Sequence, residues 1–206
     1  ISLFEIIGSK RKVIALPIGR AIVVNKLFIT SVAGYVPFER RTNKVSGHSH
    51  GKFSPYAFNV LTSNLSNLVD RTDNKSWPEK IFIRRSSGTR KVVNASEIEN
   101  LLIKKGYKIV EPEKLTFSQQ VQLFSHAKTI VGSSGAALAN MLFLPKGAQI
   151  FILIGKYSGT SYWYWQNMAC SSGKVLQYCL GPLDNELTGG IHGDFHIPLS
   201  EISKIL

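Results

Sequence analysis

Three observations in the sequence predict an α/β fold built on a doubly wound parallel sheet. Apolar runs of strand length alternate with segments of helical period through residues 80–154. The helical segments carry start and stop signals of their own. The final run, "AQIFILI", is apolar throughout, as a strand covered on both faces must be.

Taken in order, the first third mixes β-like runs, "KVIAL" and "AIVVNKLFI", with turn signals and then a polar loop, "ERRTNKVSGHSHGK". Ser54 before Pro55 pairs an N-cap with a first-turn proline, and Phe58, Leu61, Leu65 and Leu68 follow at helical spacing. "DRTDNKSWP" is a polar connector. "KIFIR" then reads as a strand, and Asn94 with Glu97 as a capping box for a helix whose Ile98, Leu101 and Leu102 share a face up to Gly106. "YKIV" is a second strand; Thr116 with Gln119 caps a helix bearing Phe117, Val121 and Phe124, and "KTIVG" is a third strand. "AALANMLF" reads as a short helix stopped near Pro145, before "AQIFILI". The succession βαβαβαβ calls for parallel strands with helical crossovers on both faces.

Composition bounds the function without choosing it. With 44% hydrophobic and 18% charged residues, the 206-residue chain is of ordinary globular type rather than disordered. Its 25 Lys and Arg against 13 Asp and Glu give a net charge of +12, which favours anionic partners and suits peripheral contact with an anionic membrane. Cys170 and Cys179 have no metal-ligand or redox spacing, so a reducing, cytoplasmic setting is expected. The apolar stretch from Thr129 to Ile154 is broken by Asn140, Pro145, Lys146 and Gln149, which argues against a membrane span. The chain opens without Met and without signal-peptide features, and is read as a fragment of something longer.

Ligands of open parallel sheets bind at the carboxyl ends of the strands. There the sequence places Arg84, Arg85 and Arg90 after the first strand of the alternation, and Gly132, Ser133, Ser134 and Gly135 after the third. Arginine forks beside a helix N-terminus suit a diphosphate. A small-residue turn is also a purely steric solution, and "RRSSGTRK" is also a solvated basic loop; the residues alone leave both readings open.

Longer motifs go further. The arginine pair, the later Arg90, and the patterns L-x-F-x-x-Q (115–120), A-x-x-I-V-G (127–132), G-A-x-L-A-N (135–140) and F-x-P-x-G-A (143–148), taken together, resemble glycosyltransferase family 61, which includes capsular polysaccharide biosynthesis proteins. The resemblance is strongest over residues 80–154, with "GHSHGKFSP" and "GDFHIPLSEISKIL" like its flanks. It implies an inverting, two-lobed GT-B enzyme, with residues 76–206 a Rossmann-like lobe that binds a nucleotide sugar and residues 1–75 a remainder of the N-terminal lobe and linker. Carried over residue by residue, it assigns Arg84, Arg90, Asn94, Gln120, Gly132, Gly135 and Asn140 to the donor side. The physical reading adds Arg85, Ser133 and Ser134. The sequence departs from the family at Ser134, usually histidine, and at Ile152, usually glutamate, so that the donor differs, another residue substitutes, or the chain is an inactive glycosyltransferase-like scaffold.

The resemblance further implies a glycan or lipid-linked glycan acceptor and no cofactor or metal. His48 and His50 in "GHSHG" are weak candidates for the catalytic base, lacking a carboxylate or cysteine at metal-ligand spacing. "YWYWQNM" offers aromatic faces for a base or sugar, or for packing. His192 and His196 are given no chemistry. The alternative from another class is a basic nucleic-acid-binding module; the chain shows no RNP-type motif, zinc finger or helix-turn-helix, so no nucleic-acid partner is expected.

Overall fold

The computed structural model describes residues 14–29, 32–35, 51–68, 76–86, 88–157, 162–185 and 192–206. The apolar runs of residues 80–154 become adjacent strands: β3 (Lys80–Ile83), β4 (Lys108–Val110), β5 (Thr129–Ser133) and β6 (Gln149–Lys156). A fifth strand that the sequence reading missed, β7 (Val175–Pro182), completes a sheet of order β4-β3-β5-β6-β7, with every neighbouring pair parallel. Ile83 is in register with Val110 on one side and Gly132 on the other. Gly132 in turn faces Ile152.

Successive strand residues point to opposite faces, and both faces are covered. On one, Ile81, Ile130, Ile150 and Ile152 pack with Leu123 and Phe124 of α3 (Phe117–His126), Leu138 and Met141 of a 3-10 helix (Ala136–Phe143), and Met168 and Ala169 of α4 (Trp163–Ser171). On the other, Phe82, Val131, Phe151 and Leu153 pack with Ile98 and Leu102 of α2 (Ala95–Lys104) and Ile202 of α5 (Leu199–Ser203). The doubly wound architecture follows from that two-sided burial.

Local signals held to different degrees. Thr116 forms the full capping box, its hydroxyl accepting from the Gln119 amide at 3.3 Å while the Gln119 side chain accepts from the Thr116 amide at 3.0 Å. Ser54 caps α1 (Pro55–Leu68) through the Ala57 amide at 3.2 Å, and Leu65 is buried, whereas Leu61 is exposed. Gly106 ends α2 in the left-handed conformation, φ 83°. Asn94 precedes α2, but its side chain makes no cap bond. Burial turns it toward the backbone of Ile197 instead, where it donates at 2.8 Å and accepts at 3.1 Å. "AALANMLF" coils as a 3-10 rather than an α-helix, with i→i+3 bonds at its ends such as Leu138 to Gly135 at 3.0 Å.

The β-like runs near the start are corrected. Residues 14–29 form no strand, and Ile18 and Val23 are fully exposed. A strand needs a ladder partner for its backbone groups, and none of the described residues supplies one. The short antiparallel pair β1 (Gly34–Tyr35) and β2 (Lys52–Phe53) lies farther along. Phe53 stacks on Phe58 and meets Tyr164 edge-on, so β2 and α1 pack against α4. Among the described residues no helix is long and apolar enough to cross a membrane.

Candidate functional site

The chain runs from β3 to β4 on one side, then returns to place β5 on the other. That reversal makes β3 and β5 the flanks of a topological switch point, where their outgoing loops diverge and leave a crevice. A cleft of about 480 Å³ opens there, lined by Arg85 and Ser86 after β3, Glu113 after β4, Ser133 and Gly135 at the end of β5, and Asn140 of the 3-10 helix.

Arg85 dominates the cleft electrostatically. Its Nη1 donates to the Ser134 carbonyl at 3.2 Å and its Nε to the Thr89 carbonyl at 3.0 Å, so the fork is held by neutral acceptors and keeps its full charge. Burial first, then the neighbouring Arg90, hold it below the usual guanidinium value, and it stays protonated at neutral pH. Gly135 makes room for it: a Cβ there would meet Nη1 at 2.2 Å. Arg90 stands in the left-handed region at φ 58°, and its buried Nε has no hydrogen-bond partner among the described residues.

Arg84 is arranged differently. Its guanidinium meets both oxygens of Glu99 at 2.7 and 2.5 Å and reaches Glu111 at 3.2 Å, while Glu111 also pairs with Lys114. The bond from Glu99, then that from Glu111, raises its pKa. Two carboxylates neutralise this cation, which ties the end of β3 to α2 and to the loop after β4. Arg84 and Arg85 both line the cleft and Arg90 does not; of the two, Arg85 is the one whose fork meets carbonyls instead of carboxylates and is better placed to meet an anion.

The β5 turn divides in the same way. Ser133 and Gly135 line the cleft, but Gly132 and Ser134 do not. Gly132 sits inside the sheet, where a Cβ would press on Ile83 Cβ at 3.0 Å. Ser134 is buried, and its hydroxyl accepts from Trp165 Nε1 at 3.0 Å. Ile152 is fully buried in the core, not at the cleft. Gln120 and Asn140 form one polar wall, Asn140 Nδ2 donating to Gln120 Oε1 at 3.0 Å. Of "YWYWQNM", Tyr164 and Trp165 pack against the core and the Asn167 side-chain amide donates to the Gly51 carbonyl at 2.8 Å, whereas Trp163 is exposed.

Reading motifs missed Glu113, whose carboxylate forms no ion pair or hydrogen bond with the described residues; its only signal was its place just beyond a predicted strand. His48 and His50 lie outside the described residues. Among the described residues no group of three or more His, Cys, Asp or Glu is arranged to hold a metal.

The model of the Glycosyltransferase 61 family matches residues 13–151, a span that contains every cleft residue named above. The chain belongs to glycosyltransferase family 61. It is similar to the EGF domain-specific O-linked N-acetylglucosamine transferase of Gallus gallus, 29% identical over 118 residues, or 54% of this chain and 22% of that protein. The family 61 chain thus matches about a fifth of the length of that relative.

Proposed function

We propose that this family 61 protein is a glycosyltransferase whose residues 76–206 form the donor-binding, Rossmann-like lobe of an inverting GT-B enzyme. An acceptor hydroxyl oxygen attacks the anomeric carbon of a nucleoside diphosphate sugar, the bond from that carbon to the phosphate oxygen breaks, and the nucleoside diphosphate leaves with the electron pair. Negative charge grows on the leaving diphosphate, so a positive group already fixed beside it lowers the barrier. Arg85 is that group, reinforced by Arg90, with the Ser133–Gly135 backbone beside the phosphates and Gln120 and Asn140 as polar contacts. Arg84 and Asn94 support the loop from behind. His48 and His50 are the candidates for taking the acceptor proton.

The observation that carries this reading is the Arg85 fork, half-buried at the switch-point cleft and held by carbonyls instead of carboxylates. The acceptor proposed is a glycan hydroxyl. Because the Gallus gallus relative is named for O-linked N-acetylglucosamine transfer to EGF domains, UDP-N-acetylglucosamine and an EGF domain belong among the pairs to assay. Calorimetric titration with UDP, GDP and ADP should show saturable binding that Arg85→Ala weakens about tenfold or more, the worth of a charge-assisted hydrogen bond. Equal affinities for the variant and the parent protein would sink the assignment. Steeply salt-dependent oligonucleotide binding with no nucleotide preference would favour the nucleic-acid alternative instead.

A further inference from the structure

We infer that the C-terminal strap, residues 192–197, is a positioning device for the basic loop of the donor site, with Asp194 as its key residue. The inference rests on the proposed donor site and deepens it. The strap lies between the loop that follows β3 and the far end of β7. Phe195 bridges in parallel to Val92 and antiparallel to Leu183. Its amide donates to the Lys91 carbonyl at 2.9 Å, its carbonyl accepts from the Val93 amide at 2.8 Å, and the His196 amide donates to the Pro182 carbonyl at 3.0 Å. The sheet makes room for it: a Cβ on Gly181 would meet the His196 carbonyl oxygen at 1.8 Å, and one on Gly155 would meet Phe195 Cβ at 3.2 Å.

The strap grips the loop where the loop is least comfortable. Arg90 is the only non-glycine described residue with positive φ, a conformation that L side chains resist unless their surroundings impose it. The imposing bonds come from the strap: the Arg90 amide donates to the His192 carbonyl at 3.2 Å, and the Lys91 amide to Asp194 Oδ1 at 2.8 Å. Four residues on, the buried Asn94 side chain closes the clamp on Ile197 with two bonds. The residue before Arg90 is Thr89, whose carbonyl holds Arg85 Nε. Asp194 thereby fixes the segment that aims one guanidinium and contains the second. Two like charges kept close together repel, and an unpinned loop would separate them; pinning it before the anion arrives removes that ordering cost from binding.

The test uses the full chain, with UDP and inorganic pyrophosphate as probes. In the parent protein both bind, and Arg85→Ala weakens both. Asp194→Ala should weaken both by roughly tenfold, the loss of one hydrogen bond to a charged group. Asp194→Asn, which retains the Oδ1 acceptor, should restore most of the affinity. Amide exchange at Lys91 should quicken at least about tenfold in Asp194→Ala, while exchange in β5 and β6 stays unchanged; this readout needs no ligand. If UDP binds and depends on Arg85, yet Asp194→Ala binds it like the parent protein, the strap has no positioning role. If neither probe binds the parent protein, the donor-site reading itself fails, and the inference with it.

Discussion

Gly135→Ala tests the site through its geometry rather than by removing a charge. Gly135 has φ 178° and ψ 168°, extended backbone that alanine also adopts, so the substitution adds no backbone strain. What it adds is one methyl group, 2.2 Å from Arg85 Nη1, with the Ser133 carbonyl at an ordinary 3.7 Å. The guanidinium must retreat by about 1 Å to reach normal contact, beyond the play of a well-made hydrogen bond, so the 3.2 Å bond to the Ser134 carbonyl and the aim of the fork are lost together. If Arg85 grips the diphosphate, about 1.5–3 kcal/mol of binding goes with it, an increase in Kd of roughly ten- to a hundredfold. Calorimetry on Gly135→Ala, Arg85→Ala and the double variant makes the assay a double-mutant cycle. In the Arg85→Ala background the added methyl meets no guanidinium and should cost almost nothing. Additive losses would refute the reasoning, since they would mean that the turn binds the ligand by itself and Arg85 is a bystander.

Arg84→Ala should weaken nucleotide binding far less than Arg85→Ala in the same calorimetric titration, because two carboxylates already neutralise Arg84. Burial pushes the Cys179 thiol up to about 11 from 9.0, with Glu201 adding to the shift. The unfolded chain therefore ionises first, and the stability present below pH 9 is lost progressively from pH 9 to 11, by roughly 1 kcal/mol at pH 10. Denaturation of Cys179→Ala at pH 8 and pH 10 should show that much less decline than the parent protein. Thr116→Ala removes the hydroxyl that accepts from the Gln119 amide, while the Thr116 amide keeps its bond to the Gln119 side chain, and should cost about 1 kcal/mol, read as a fall in Tm of roughly 2–4 °C.

The sheet was legible where physics acts locally. "AQIFILI" announced a doubly covered strand because burial on two faces leaves no room for polar residues, and β6 is flanked by β5 and β7. Thr116 capped as read because the box is closed within four residues. Asn94 looked the same in sequence and behaved otherwise, because a residue 103 positions away offered its buried amide a backbone to satisfy. β7 escaped notice because an edge strand alternates exposed and buried positions and carries polar Gln177 and Lys174 in or beside it. Arg84 and Arg85 are adjacent letters with the same chemistry, and only the positions of Glu99 and Glu111 separate the tethered cation from the available one.

The same separation explains why the departure at Ser134 bears less on the cleft than the sequence suggested. Its hydroxyl points to Trp165 and its carbonyl to Arg85, so the residue acts as a joint between α4 and the donor loop rather than as a ligand contact. A histidine placed there would need the space that the indole fills. In this chain, then, Trp165 and Ser134 hold from one side the fork that the Asp194 strap steadies from the other. The aim of Arg85 depends on two hydrogen bonds that no short motif around Arg85 contains.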